Sequence, residues 1–160
     1  MLEYYRDATE KFRHSVDELL EVMRPWYDNN CFSDIMVGEE HMYNSDMVLN
    51  FVQDYKMARF NIPREMIDPN VHSDYGKMRK MIRLEQTFGE KAQTLQKIAE
   101  DGYIDASLKA EFSISELHNP KILPSLLFYM GMLTFGTTPD GEQALIVPNL
   151  VVREQYYKYL

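Results

Sequence analysis

Cysteine is nearly absent from this chain: its 160 residues include one, Cys31. An internal disulfide is therefore excluded. Glycine and proline number seven each, and no low-complexity tract or internal repeat occurs. No apolar run approaches the roughly 18 residues of a membrane span. The opening MLEYYRDATEKFRHS lacks the pattern of a signal peptide and reads as helix from its first turn, so a cytoplasmic segment of a longer protein is expected. Positive charge is also short. Seventeen Lys and Arg face 25 Asp and Glu, a net charge of −8. Residues 1–40 hold ten acidic and four basic residues, net −6. Such a chain is a poor default partner for nucleic acid, because affinity there comes mainly from neutralising phosphates.

What the chain does have is core material. Hydrophobic residues make up 45% and aromatic residues 12%, enough for one domain or two small ones. Eleven methionines read as adaptable core filling in preference to a Met-rich binding surface. Leu2 to about His14 is predicted to be a helix. Ser15 to Glu18 is a capping box opening a second helix, which Pro25 weakens or ends. Phe32, Ile35 and Val37 suggest a short strand. Asn44 or Ser45 opens a third helix that fades near Arg59. Ser73-Asp74 caps a fourth over Tyr75 to Thr87, broken by Gly89, and Glu90 to Asp101 is a fifth. Tyr103 to Phe112 alternates with period two, as a strand does. Ser113 to Glu116 is a second capping box, opening a short helix.

The last forty residues organise the rest. Asn119-Pro120 signals a helix start. Ile122, Leu123, Leu126, Leu127, Met130 and Leu133 then recur at helical spacing. Thr137 to Gly141 is a turn cluster, Gln143 to Val147 the returning strand, and Pro148-Asn149 the stop and cap before a final helix. From Glu90 the order is helix, strand, short helix, helix, hairpin, helix, which is a winged-helix order. The expected architecture is thus mainly α: a helical lid-like region over residues 1–88, then a winged-helix-like module with a small antiparallel sheet over 89–160.

Two patches carry a family resemblance. One is LLFYMGMLTFG…ALIVPNLVVREQYYKYL, with Pro148, Asn149 and Arg153. The other is Trp26-Tyr27-Asp28-Asn29-Asn30-Cys31-Phe32 followed by Met42-Tyr43-Asn44-Ser45-Asp46-Met47-Val48-Leu49-Asn50-Phe51. Together they resemble the linking region of a bacterial family that joins an AAA-type ATPase domain to a PD-(D/E)XK nuclease-like domain. The resemblance implies that ATP and Mg belong to the parent protein only. It also implies that the flanking ATPase and nuclease-like domains are the partners.

No catalytic, cofactor or metal residue is assigned within the chain. Phe88-Gly89-Glu90-Lys91 lacks the upstream glycine and the following Ser or Thr of a phosphate loop, and reads as a helix start. Asp140-Gly141-Glu142 lacks the lysine of a nuclease motif and reads as a hairpin tip. Cys31, Asp34, Glu39, Glu40 and His41 match no zinc spacing. The helix Ile122 to Leu133 carries no donor after Lys121 for reading a DNA groove, so it belongs in a core or against a partner. The basic run Lys77, Arg79, Lys80 and Arg83 reads as a solvated face, with nucleic-acid or partner contact as the sharper alternative. Trp26-Tyr27-Asp28 reads as a plug at a helix-to-loop junction. The expected function is non-catalytic coupling between domains, and the alternative is a nucleic-acid-binding winged helix.

Overall fold

Ser15 opens the first of the described helices as its capping box requires. Its hydroxyl accepts from Glu18 N–H at 3.2 Å, and the Glu18 carboxylate accepts from Ser15 N–H at 2.7 Å. The computed structural model of the chain describes residues 12–39, 41–68 and 88–159. Helix α1, Val16–Tyr27, runs through Pro25, where the sequence suggested an end. A proline this close to the C-terminus forfeits few helical bonds, and Asp28 N–H still closes onto Arg24 O. Of the span Leu2 to His14, only residues 12–14 are described, and they are not helical. Residues 31–39 form no strand. A 3₁₀ turn occupies Asp34–Met36, and Ile35 stands 84% exposed. Nothing there pairs it: the neighbouring bridge joins Asn30 to Met42 and closes the segment as a loop.

Asn44 caps α2, Ser45–Met57, its side chain accepting from Asp46 and Met47 N–H. Leu19, Met23 and Tyr27 of α1 pack with Met47, Phe51 and Tyr55 of α2 in one core. Arg59 and Phe60 follow in the left-handed region, φ 54° and 62°. That backbone strain is held by the Phe60 ring against Tyr55 and Phe12, at 5.7 and 5.5 Å between centroids.

Helix α3, Phe88–Asp101, includes Gly89 in its first turn, and so begins before the expected break. The expected helix Tyr75 to Thr87 lies outside the described residues. Gly102 ends α3 at φ 82°. The strand expected over Tyr103 to Phe112 is ordered as β1 only at Tyr103–Ile104. Burial still alternates along 104–109, and Ile104, Ala106 and Leu108 pack on the core. The ladder stops because pairing with β3 reaches no further than Ile104 with Leu145. From there the backbone turns to a side chain, Lys109 N–H donating to Ser125 Oγ at 2.9 Å.

The short helix after Ser113 is a 3₁₀ turn, Ile114–His118, and a second 3₁₀ turn, Pro120–Ile122, leads into α4, Leu123–Tyr129. The run expected to be helical to Leu133 ends earlier. Gly131, φ 71°, donates to Phe128 O at 2.9 Å and Met132 N–H to Leu127 O at 2.8 Å. That is a Schellman close, and it drops Met132 and Leu133 into the core as a buried turn. Strands β2, Thr134–Thr137, and β3, Gln143–Ile146, form the expected hairpin. Its tip is a Pro139-Asp140 turn with Gly141 left-handed, closed by Gly141 N–H to Thr138 O and Thr138 N–H to Glu142 O. The sheet order is β1-β3-β2, all antiparallel.

Helix α5, Leu150–Tyr159, closes the fold. The chain is mainly helical with this one small sheet among the described residues, as its composition and periodicity predict. The second core gathers Ile98, Leu127, Met132, Leu133, Leu145, Val152 and Tyr156. Each such side chain, fully buried, contributes about 1.5–3 kcal/mol. No described helix is long and apolar enough to cross a membrane.

Candidate functional site

The two sequence patches meet in space. Asp28, the cap after α1, and Asn29, left-handed at φ 74°, reach the Pro148-Asn149 corner ahead of α5. Asn29 Nδ2 donates to Pro148 O at 2.9 Å, and Asn149 Nδ2 donates to Asp28 O at 3.2 Å. The exchange is reciprocal: each segment offers one carbonyl and one amide. Asn149 Oδ1 meanwhile accepts from Val152 N–H at 3.2 Å and caps α5. Beside this clasp, Cys31 N–H donates to Thr134 Oγ1 at 2.6 Å, that hydroxyl donates back to Cys31 O, and Phe135 N–H bonds Cys31 O at 3.1 Å. Residue 31 thereby covers the outer edge of β2. Tyr27 O accepts from Asn44 N–H at 2.8 Å, tying in the start of α2.

A cleft of about 320 Å³ opens next to the clasp. Trp26, Tyr43, Asn44 and Asn149, all patch residues, form part of its wall. Phe32, Met42 and Met130 complete the rim and are 55%, 52% and 36% exposed. The Oδ1 atom of Asp28, a residue that does not line the cleft, is buried with no hydrogen-bond partner among the described residues. Arg24, the nearby cation, is engaged: its bond to the Tyr43 side chain raises the guanidinium above its usual pKa, with a smaller contribution from Asp28. Burial pushes the Tyr27 phenol well above its ordinary range, and Asp54 adds to the shift. The Tyr27 hydroxyl donates to Met66 O at 2.6 Å.

The structure thus brings Trp26, Tyr27, Asp28, Tyr43, Asn44, Pro148 and Asn149 into one region, with Trp26 to Asp28 at a helix-to-loop junction. Arg153 stands apart, its Nε directed to the Tyr157 hydroxyl at 3.3 Å on the exposed side of α5. Lys77, Arg79, Lys80 and Arg83 lie outside the described residues. Lys91 is 6% exposed and donates to Leu117 O at 2.7 Å, so the lysine of the phosphate-loop lookalike braces the 3₁₀ turn. Asp140 and Glu142 sit at the exposed hairpin tip. Cys31 faces inward with Sγ toward Ser33 O, and among the described residues no three His, Cys, Asp or Glu side chains assemble as a metal site. Of the α4 side chains, Leu123, Pro124, Ser125, Leu127 and Phe128 are buried.

Sequence reading included Asn29, Thr134, Met42 and Met130 in its two patches but gave none of them a separate role. Asn29 left one trace, because asparagine is enriched at left-handed backbone positions. The methionines divide: Met23 and Met132 are core, Met47 is buried but also lines the cleft, and Met42 and Met130 edge it. Compared with known proteins, the chain matches no protein-family model, no curated protein and no solved structure.

Proposed function

We propose that this chain is a non-catalytic coupling segment of a larger cytoplasmic protein, set between an AAA-type ATPase domain and a PD-(D/E)XK nuclease-like domain. Residues 1–88 act as a lid-like region and residues 89–160 as a winged-helix-like module. The observation that carries this reading is the reciprocal clasp of Asp28-Asn29 with Pro148-Asn149. It joins the two patches on which the resemblance rests, about 120 residues apart in the chain. Movement imposed on the first region is passed to the second through these bonds. The sheet order β1-β3-β2, entered from α3 and left through α5, supports the winged-helix reading of the second part. ATP and Mg belong to the flanking ATPase domain and not to these residues.

Two measurements test the proposal. An antibody raised against the chain is expected to detect, in the source cells, a protein far heavier than 18.9 kDa. A native band at the mass of the chain itself would overturn it. The purified chain is expected to show no turnover with Mg-ATP, and steady hydrolysis would count equally against it.

The alternative, a nucleic-acid-binding winged helix, shares the strand order. Among the described residues it gains little from side chains, since Lys121 is exposed but Lys109 pairs with Glu116. Anisotropy with duplex and single-stranded DNA decides between the two readings. Binding that weakens steeply with salt would favour the alternative.

A further inference from the structure

The two outer edges of the small sheet differ. On β2 the chain covers its own edge, where Phe135 N–H bonds Cys31 O. On β1 no such cover exists among the described residues. The register shows which groups that edge presents. In an antiparallel ladder, alternate residues turn both N–H and C=O toward the same neighbour. Val147 N–H bonds Gly102 O, and the pairing runs on to Ile104 with Leu145. Gly102 and Ile104 therefore face β3, and Tyr103 faces away from it. Burial keeps alternating along 104–109, so the same rule turns Asp105 and Ser107 outward. The backbone N–H groups of Tyr103, Asp105 and Ser107 have no partner among the described residues.

The ordered part of β1 is short, but the stretch lacks the other devices that blunt an edge, proline and clustered charge. Tyr103 to Leu108 contains no proline and one charged residue, Asp105. Pairing space ends at Lys109, whose N–H goes to Ser125 and whose ammonium pairs with Glu116. A groove of about 400 Å³ lies beside the same stretch, with Ile104, Ala106 and Ser107 in its wall together with Thr94, Pro120 and Pro124. Its two charged lining residues, Glu90 and Lys121, are of opposite sign.

We infer that the outer edge of residues 103–107 is a docking site for an extended segment of a partner protein, which adds to the sheet as a fourth strand beside β1. An extended main chain supplies donors and acceptors at every second residue, the repeat that Tyr103, Asp105 and Ser107 present. Alternate side chains of the guest lie along the groove. Small uncharged ones fit it, because its charges cancel and most of its wall is short side chains and proline rings. The bonds run main chain to main chain, so recognition rests on the extended form of the guest more than on its sequence. The inference stands independently of the interdomain reading.

The probe is a dye-labelled, end-capped hexapeptide of alternating valine and threonine, and the control is the same peptide N-methylated at all six residues. The first is expected to bind saturably in anisotropy and the control not to bind. In amide exchange followed by NMR, the bound peptide is expected to slow Asp105 and Ser107 and to leave Ala106 between them unchanged. Asp105→Pro removes one outward N–H and breaks no bond of the fold, because that N–H is unpaired. It is expected to weaken binding at least fivefold, whereas Asp105→Ala, which keeps the N–H, binds as the parent chain does. Equal binding of the N-methylated peptide, equal weakening by the two Asp105 variants, or a bound peptide that leaves Asp105 and Ser107 exchanging freely would each overturn the inference. No binding of the unmethylated peptide would overturn it too. Slowing of the same two amides with rising chain concentration and no peptide would assign the edge to a second copy, again against the inference.

Discussion

Replacing Asn149 by alanine removes two bonds at once, and the two can be separated. Its Oδ1 caps α5 through Val152 N–H, and its Nδ2 serves Asp28 O. Losing an N-cap costs about 1 kcal/mol. Leaving a part-buried carbonyl without its donor costs about 1–2 kcal/mol more. Asn149→Ala is therefore expected to lose about 2–3 kcal/mol in urea unfolding. At about 2–4 °C per kcal/mol for a chain of this size, Tm falls by roughly 4–12 °C. Asn149→Ser keeps an acceptor for the cap but has no reach to Asp28 O, so it is expected to lose only the second part. The Asn29→Ala change removes the reciprocal bond to Pro148 O. Combined with Asn149→Ala it should show a coupling energy above about 0.5 kcal/mol, since both bonds hold one junction. The reasoning fails if Asn149→Ser is as stable as the parent chain and the two alanine changes add without coupling. The clasp would then be two independent contacts, and nothing would be transmitted through it.

Two glycines offer a contrast of cause. At Gly136 an added Cβ would sit 2.2 Å from Ile146 Cδ1 and 2.6 Å from its Cγ1, so Gly136→Ala is expected to destabilise by about 1–3 kcal/mol, with Ile146→Ala restoring part of the loss in denaturant melts. At Gly131 nothing lies within 4 Å, yet φ is 71°; Gly131→Ala is expected to cost about 1 kcal/mol from backbone conformation alone, and no neighbour's truncation should relieve it. The Tyr27 phenol has its pKa raised by burial, so its neutral form is favoured in the fold. Its contribution is full below the ordinary phenol value of about 10 and is lost as pH rises beyond it. Stability measured from pH 9 upward is expected to fall, and Tyr27→Phe should flatten the decline. An unchanged slope in the variant would show that another group carries it.

Local grammar was legible where its partners are local. Ser15 with Glu18, Asn44 ahead of α2, Gly141 at the hairpin tip and Asn149 ahead of α5 each satisfy a backbone group within a few residues. What failed were the features set by distant chain. Residues 103–112 have the period of a strand and keep alternating burial along 104–109, but their pairing with β3 ends at Ile104 with Leu145. Leu133 sits at helical spacing after Met130, and a left-handed glycine turns it inward with Met132 instead. Phe32, Ile35 and Val37 suggest a short strand by their residue types, but the loop closed by Asn30 and Met42 leaves Ile35 without a facing strand. The cleft was the least legible part, for its walls come from four separate stretches and only Trp26, Tyr43, Asn44 and Asn149 were singled out beforehand.

The placement of α5 explains why the clasp sits where it does. Val151 belongs to the core built by α1 and α2, while Val152 and Tyr156 belong to the core built by α3, α4 and the sheet. Consecutive residues of a helix point about 100° apart, so one helix can wall both cores only if its rotation about its own axis is fixed. Val151, Val152 and Tyr156 are all buried, so packing in both cores constrains that rotation. The Asn149 cap and its bond to Asp28 O add a polar constraint at the first residue before the helix. A change that loosens the clasp is thus expected to release both cores together. In hydrogen exchange, the amides of α1 and of α5 should accelerate in step in Asn149→Ala. Acceleration confined to the first turn of α5 would mean that the two cores are held to each other by packing alone.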